Sequence, residues 1–276
     1  MKLVKLIILS AVLTSFLACD DGITGLVPPY GGYLWFAYRN QQTVWKFNPS
    51  PWEVVSSYRT PFPEGYVFDM AAGDGRAWVA GAVWSDEFQT YTPRIWEVDT
   101  PAWEHFVSWG GYGLGLTYDG GYLWETSTDI YGQSEFYRID PDTHDGELMF
   151  TYISPGMYIY GLAWDGECFW AVLSKQEFTD WPPSYPASQD DGGLTAEFVR
   201  IDPATGEKIR SVPFNEGLPS GLTWDGEALW VNELKSNRIY RISPEDGTIL
   251  GYHQKDPPDR NPKPYPYGLA WEFPSE

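Results

Sequence analysis

Histidine, cysteine and basic charge are all scarce in this chain of 276 residues. Three histidines, His105, His144 and His253, lie far apart and fall in segments that read as outer strands or turns, which argues against a histidine zinc site or a Ser-His-Asp triad. Two cysteines, Cys19 and Cys168, exclude a disulfide framework. Lys and Arg total 18 against 38 Asp and Glu, a formal charge of −20, which argues against nucleic acid or an anionic membrane surface as partner. There is no G-x-S-x-G, no phosphate-cradling glycine loop and no haem-attachment motif, and no segment carries a helical period. No cofactor and no metal are expected. Aromatic residues are abundant instead, at 17%, with 15 tryptophans.

The first residues, "MKLVKLIILSAVLTSFLACDD", do not belong to the fold. Lys2 and Lys5 precede an apolar run too short to span a bilayer as a stable helix, and the run ends at "FLAC". That ending resembles the bacterial lipobox. The resemblance implies a signal peptide over residues 1–18, lipidation of Cys19 and a tether over 19–29, leaving 30–276 as one domain. It places the protein in the bacterial cell envelope, on the periplasmic or extracellular side, held to the membrane by lipid; a monomer is expected. A plain secretory signal is the alternative. Cys168, in "DGECFW", reads as a small buried hydrophobe in a strand.

The rest of the chain repeats. "GLTYDGGYLW" begins at Gly115, "GLAWDGECFW" at Gly161 and "GLTWDGEALW" at Gly221, with a weaker copy, "MAAGDGRAW", at Met70. Each copy is followed by an alternating stretch that ends in a tight turn, as in "FYRIDPDT", "FVRIDPAT" and "IYRISPEDG", and then by one more strand. Four short strands in a unit of about 45 residues describe a β-propeller blade. "PYGGYLW" at Pro29 keeps only the second half of the repeat, and "YGLAWE" at 267–272 keeps only the first. The two halves together make one blade. The expected fold is therefore an all-β, five-bladed propeller of four-stranded blades, with the C-terminal strand completing the first blade and leaving no free edge. The shared tryptophans 35, 78, 124, 170 and 230 are expected between blades, the glycines where inner strands crowd the axis, and the Asp-Gly pairs in hairpin turns.

Comparing blades exposes one exception. The residue after the shared tryptophan is Phe36, Val79, Glu125, Ala171 or Val231. A carboxylate at that place costs on the order of several kcal/mol unless it is partnered or neutral, so Glu125 either staples its surroundings or serves function. The loops between second and third strands belong to one face, with the starts of the inner strands beside them. That face gathers Arg39, Asp69, Tyr131, Tyr160, Asn232, Glu233 and Tyr267 as candidate ligand-binding residues. It also holds the insertion "QEFTDWPPSYPASQDDGG", whose Trp181 is a candidate lid residue.

"YLWETSTDIYGQSEFYRID" resembles the signature of the plant-type and bacterial glutaminyl cyclases. That family has "Y-E-S-T-G-L-Y-G" after an "F-T-Q-G-L" inner strand. The resemblance implies a five-bladed propeller and a proton-shuttling glutamate at Glu125, with Tyr131, Gly132 and Gln133 matching the end of the motif. In place of "F-T-Q-G-L" stand Tyr112, Gly113, Leu114, Gly115 and Leu116, and Ser220 and Leu234 replace two further family residues. The first functional expectation is thus a lipid-anchored propeller that binds a small ligand, a peptide or a protein partner on its aromatic, carboxylate-bearing loop face. The second is a glutaminyl cyclase that releases ammonia from N-terminal glutamine, with Glu125 as acid and base. The third is a carbohydrate-binding or carbohydrate-active protein, with Glu233 or Asp69 as a second carboxylate.

Overall fold

A computed structural model describes residues 31–38, 43–60, 66–87, 90–99, 105–107, 113–129, 131–175, 196–234, 236–254 and 266–274. The expected signal, the Cys19 anchor, the tether, Arg39 and Trp181 lie outside them. Among the described residues there is no helix; twenty strands form five four-stranded antiparallel sheets. Blade 1 joins β1 (Tyr33–Tyr38), β2 (Thr43–Pro49) and β3 (Trp52–Arg59) to an inner strand from the other end of the chain, β20 (Pro266–Glu272). Blade 2 is β4 (Tyr66–Gly73), β5 (Arg76–Ser85), β6 (Thr90–Glu97) and β7 (His105–Val107). Blade 3 is β8 (Gly113–Tyr118), β9 (Leu123–Thr128), β10 (Gln133–Ile139) and β11 (Gly146–Ile153). Blade 4 is β12 (Tyr158–Trp164), β13 (Phe169–Ser174), β14 (Ala196–Ile201) and β15 (Lys208–Phe214). Blade 5 is β16 (Pro219–Trp224), β17 (Leu229–Glu233), β18 (Arg238–Ile242) and β19 (Ile249–Gln254). The inner strands β4, β8, β12, β16 and β20 touch in that cyclic order, so the ring is closed. This is the five-bladed architecture read from the repeats, including the C-terminal strand in blade 1.

The blades hold together because each second strand is apolar on both faces. Side chains alternate across a strand, so consecutive residues meet opposite neighbouring blades. Trp35 packs into the core shared by blades 1 and 2, Trp78 into that of blades 2 and 3, and Trp124, Trp170 and Trp230 into the next three. The following residues face the other way. Phe36 joins the core between blades 5 and 1, Val79 that between 1 and 2, Ala171 that between 3 and 4, and Val231 that between 4 and 5. Five cores, one per blade boundary, replace a single central one. Burying each large apolar side chain there stabilises the ring by about 1.5–3 kcal/mol.

Glycine keeps the axis tight. A Cβ at Gly161 would come within 2.5 Å of the Leu222 amide nitrogen, and one at Gly268 within 3.0 Å of the Asp69 carbonyl carbon. Cys168 is buried as expected but closes the hairpin turn one residue before β13 rather than lying in the strand. Burial pushes its thiol above the usual range. His105 and His253 fall in the outer strands β7 and β19, and His144 in a turn, as the sequence indicated.

Candidate functional site

The Asp-Gly motifs are not all equivalent. In blades 3, 4 and 5 the aspartate ends the inner strand and opens a four-residue turn, its N–H donating to the carbonyl of Tyr122, Cys168 or Ala228. Its carboxylate then takes the indole N–H of the shared tryptophan: Asp119 from Trp124 at 2.6 Å, Asp165 from Trp170 at 2.9 Å and Asp225 from Trp230 at 2.7 Å. Blade 1 does the same with Glu272, which accepts from Trp35 at 2.7 Å. Blade 2 departs from this plan. Asp74 and Gly75 alone make its turn, with φ of 53° and 75°, the two-residue hairpin type in which both central residues are left-handed. This turn is two residues long where the others are four, so Asp74 does not occupy the place of Asp119. It accepts the Tyr118 hydroxyl at 2.7 Å instead, and the Trp78 indole N–H is buried without a hydrogen-bond partner.

Counted back from the strand partners of the shared tryptophans, Asp69 aligns with Gly115, Gly161, Gly221 and Gly268, one position per blade. Each inner strand has a β-bulge at this point. Asp69 is the one side chain among these five positions, and it fills the axis. Its Oδ2 accepts the Leu116 amide at 3.0 Å and the Leu162 amide at 3.4 Å, and its Oδ1 accepts the Leu269 amide at 3.3 Å. Four N–H groups, counting Met70 in its own blade, thus meet one fully buried carboxyl. Burial pushes that carboxyl well above the usual range and outweighs the amides, which act in the opposite direction.

On one side of Asp69 the axis widens into a funnel of about 1120 Å³ at the ends of the inner strands. Its floor includes Met70 and Leu162. Its wall carries Tyr118, Trp164, Trp224 and Trp271, the residues just before the repeat carboxylate in blades 3, 4, 5 and 1. Blade 2 has only Ala72 and Gly73 there. The "GLxW" pattern carried this signal. It reads in the sequence as strand periodicity, and only the ring brings the four aromatics round one axis.

The expected loop-face residues scatter more widely. Glu125 lies within β9, fully buried, and strand alternation turns it toward blade 2, beside the core of Ile95, Leu116 and Leu123. Its charge helps raise the Tyr137 hydroxyl to about 12, after burial and the bond to Glu135. Leu116 is its register partner and also the donor to Asp69, so these two carboxyl residues stand one strand apart. Glu233 is fully buried and engaged locally: Oε1 accepts the Leu218 amide at 2.9 Å, and Oε2 accepts the Ser236 amide at 2.6 Å and hydroxyl at 2.5 Å. Asn232 is fully buried in β17, and Tyr160 packs in the core between blades 4 and 5. Tyr131 is 76% exposed on its turn. Tyr267 lies in β20, where only its backbone is described. Among the described residues no group of three or more His, Cys, Asp or Glu is placed to hold a metal ion.

No protein-family model and no curated protein matches the chain. Solved structures match it in fold. A chain of a nidogen/laminin complex is 11% identical over 87% of this chain and 98% of its own, with a TM-score of 0.50. A glutaminyl cyclase from Myxococcus xanthus is 17% identical over 84% and 90%, with a TM-score of 0.42. TolB from Acinetobacter baumannii is 17% identical over 90% and 68%, with a TM-score of 0.46. At such identities the likeness is one of architecture, and it leaves the chemistry to be argued from this chain's own residues.

Proposed function

We propose that this protein is a binding propeller that takes a small molecule in its axial funnel, and that it performs no catalysis. The supporting observation is the funnel itself: about 1120 Å³, enough for a small ligand, lined by the part-exposed Tyr118, Trp164 and Trp224 of three blades and by Trp271, which packs on Trp230 in the core. The burial of Glu125 favours binding over cyclisation, because a shuttling carboxylate must come within hydrogen-bond reach of the substrate amine. The Cys19 lipid anchor and the envelope location belong to the same proposal, and radiolabelled palmitate incorporated into the wild type but not into Cys19→Ala tests them.

The experiment is a thermal-shift screen of metabolites, short peptides and glycans, with each hit repeated on Trp224→Ala, on Trp164→Ala and on Tyr131→Ala from the opposite face. Hits weakened by the funnel substitutions and indifferent to Tyr131→Ala are expected. Hits that respond only to Tyr131→Ala move the site to the loop face. In parallel, a peptide with N-terminal glutamine is followed for ammonia release. Release that disappears in Glu125→Gln makes the protein a glutaminyl cyclase and overturns the reading.

A further inference from the structure

The carboxylates at the ends of the inner strands, of which Asp74, Asp119 and Asp165 line the funnel, are unevenly neutralised, and the unevenness indicates what the funnel holds. In blades 1, 4 and 5 a cation from the third strand meets the carboxylate at the end of the inner strand: Lys46 with Glu272 at 2.6 Å, Arg200 with Asp165 at 2.8 Å and Arg241 with Asp225 at 2.7 Å. All three cations are register partners of the shared tryptophan. Blade 3 has a cation at the same place, Arg138 opposite Trp124, but it is turned away. It pairs with Glu147 and lies over the Tyr122 ring at 4.7 Å. Asp119 is left with N–H donors only, namely the Gly121 and Tyr122 amides and the Trp124 indole. Asp74 stands beside it from blade 2, bonded to the Tyr118 hydroxyl. Among the described residues neither aspartate has an ion-pair partner, both line the funnel, and no lysine, arginine or histidine lines it with them.

Building on the funnel as the binding site, we propose that its ligand is a small organic cation bearing an ammonium or guanidinium group. The charge sits between Asp74 and Asp119, and the carbon frame lies against Tyr118, Trp164 and Trp224. Two physical effects act together there. Aromatic faces attract a cation through the ring quadrupole. A carboxylate pair beside an apolar wall is less screened than one in open water. The Tyr118 hydroxyl is raised to about 12, by burial first, then by the bond and charge of Asp74, with the charge of Arg76 acting against them and that of Asp119 with them.

The test is titration calorimetry on the full-length protein with choline, with agmatine, and with 3,3-dimethyl-1-butanol, the neutral isostere of choline. At least one cation is expected to bind saturably, at least 10-fold more tightly than the isostere. The affinity is expected to fall about 10-fold in Asp119→Asn and in Asp74→Asn and to weaken with added salt. Asp74→Asn guards against a turn defect in Asp119→Asn, since Asp74 does not hold the blade 3 turn. Equal binding of the isostere, or a cation site insensitive to both substitutions, overturns the cation while leaving the funnel reading intact. If no cation binds but the thermal-shift screen finds a neutral or anionic funnel ligand, the cation proposal alone fails; if that screen also finds no funnel ligand, both fail.

Discussion

Blades 5 and 2 are built from the same repeat and arrive at opposite electrostatics. In blade 5 the carboxylate, indole and guanidinium of Asp225, Trp230 and Arg241 close on one another, and Asp225 also takes the Glu227 and Ala228 amides. Asp225 is fully buried, and every partner it needs is supplied within its blade. In blade 2 the shortened turn removes the equivalent carboxylate. Trp78 keeps its packing but loses its acceptor, and Glu97 takes the cation's place and pairs with Arg76. Two of blade 2's other carboxyl groups turn to the ring, Asp69 to the axis and Asp74 to the funnel rim. A repeat that satisfies itself serves as scaffold, whereas one that departs from the plan has groups left over for the ring as a whole.

The sharpest way to test this contrast is to dismantle blade 5. Asp225→Ala strands a buried guanidinium and an indole N–H, and is expected to lower the unfolding free energy by about 3–5 kcal/mol, read from denaturant midpoints. Asp69 comes next, through pH. A carboxyl raised by folding binds its proton more tightly in the folded state, so its contribution to stability is complete below the unfolded value of 3.8 and is lost as pH rises toward the folded one. The wild type is therefore expected to lose stability relative to Asp69→Asn by up to about 1.4 kcal/mol per pH unit above pH 4, in unfolding curves taken across pH. Equal slopes for the two proteins remove Asp69 from the account. A paired substitution then compares the indoles. Trp230→Phe should cost about 1 kcal/mol more than Trp78→Phe, because only Trp230 gives up a hydrogen bond. The smallest effect belongs to Arg138→Ala, whose half-exposed pair with Glu147 is worth at most about 1 kcal/mol. A larger loss would show that Arg138 is structural, like Arg241.

Much of the ring is legible in the sequence because periodicity survives folding unchanged. The shared tryptophans, the crowded glycines and the half-blades at the two ends each have one consistent placement, and the structure uses it. What escaped was a matter of one residue. Asp74-Gly75 looks like every other Asp-Gly pair, so an alignment anchored on it puts Asp69 opposite Leu114 rather than Gly115 and conceals the axial carboxyl. A count from the tryptophans would have found it, since Trp78 is four residues beyond Asp74 while Trp124, Trp170 and Trp230 are five beyond their aspartates. Glu125 was legible as an exception, but its burial depends on a blade boundary that no single repeat contains. The loop-face candidates Arg39 and Trp181 fall outside the described residues, and the funnel aromatics converge only once the ring is closed.

The clasp of β20 on β1 sets a timetable for biosynthesis. Tyr33 pairs with Glu272, so a chain emerging from the ribosome cannot seal its ring until β20 has been made. At about 5–20 residues per second, that leaves an unsealed arc for some tens of seconds. Throughout that interval β1 has nothing on its inner side and the wall of the funnel lacks Trp271, so the pocket and the finished ring are completed together, by the same seven residues.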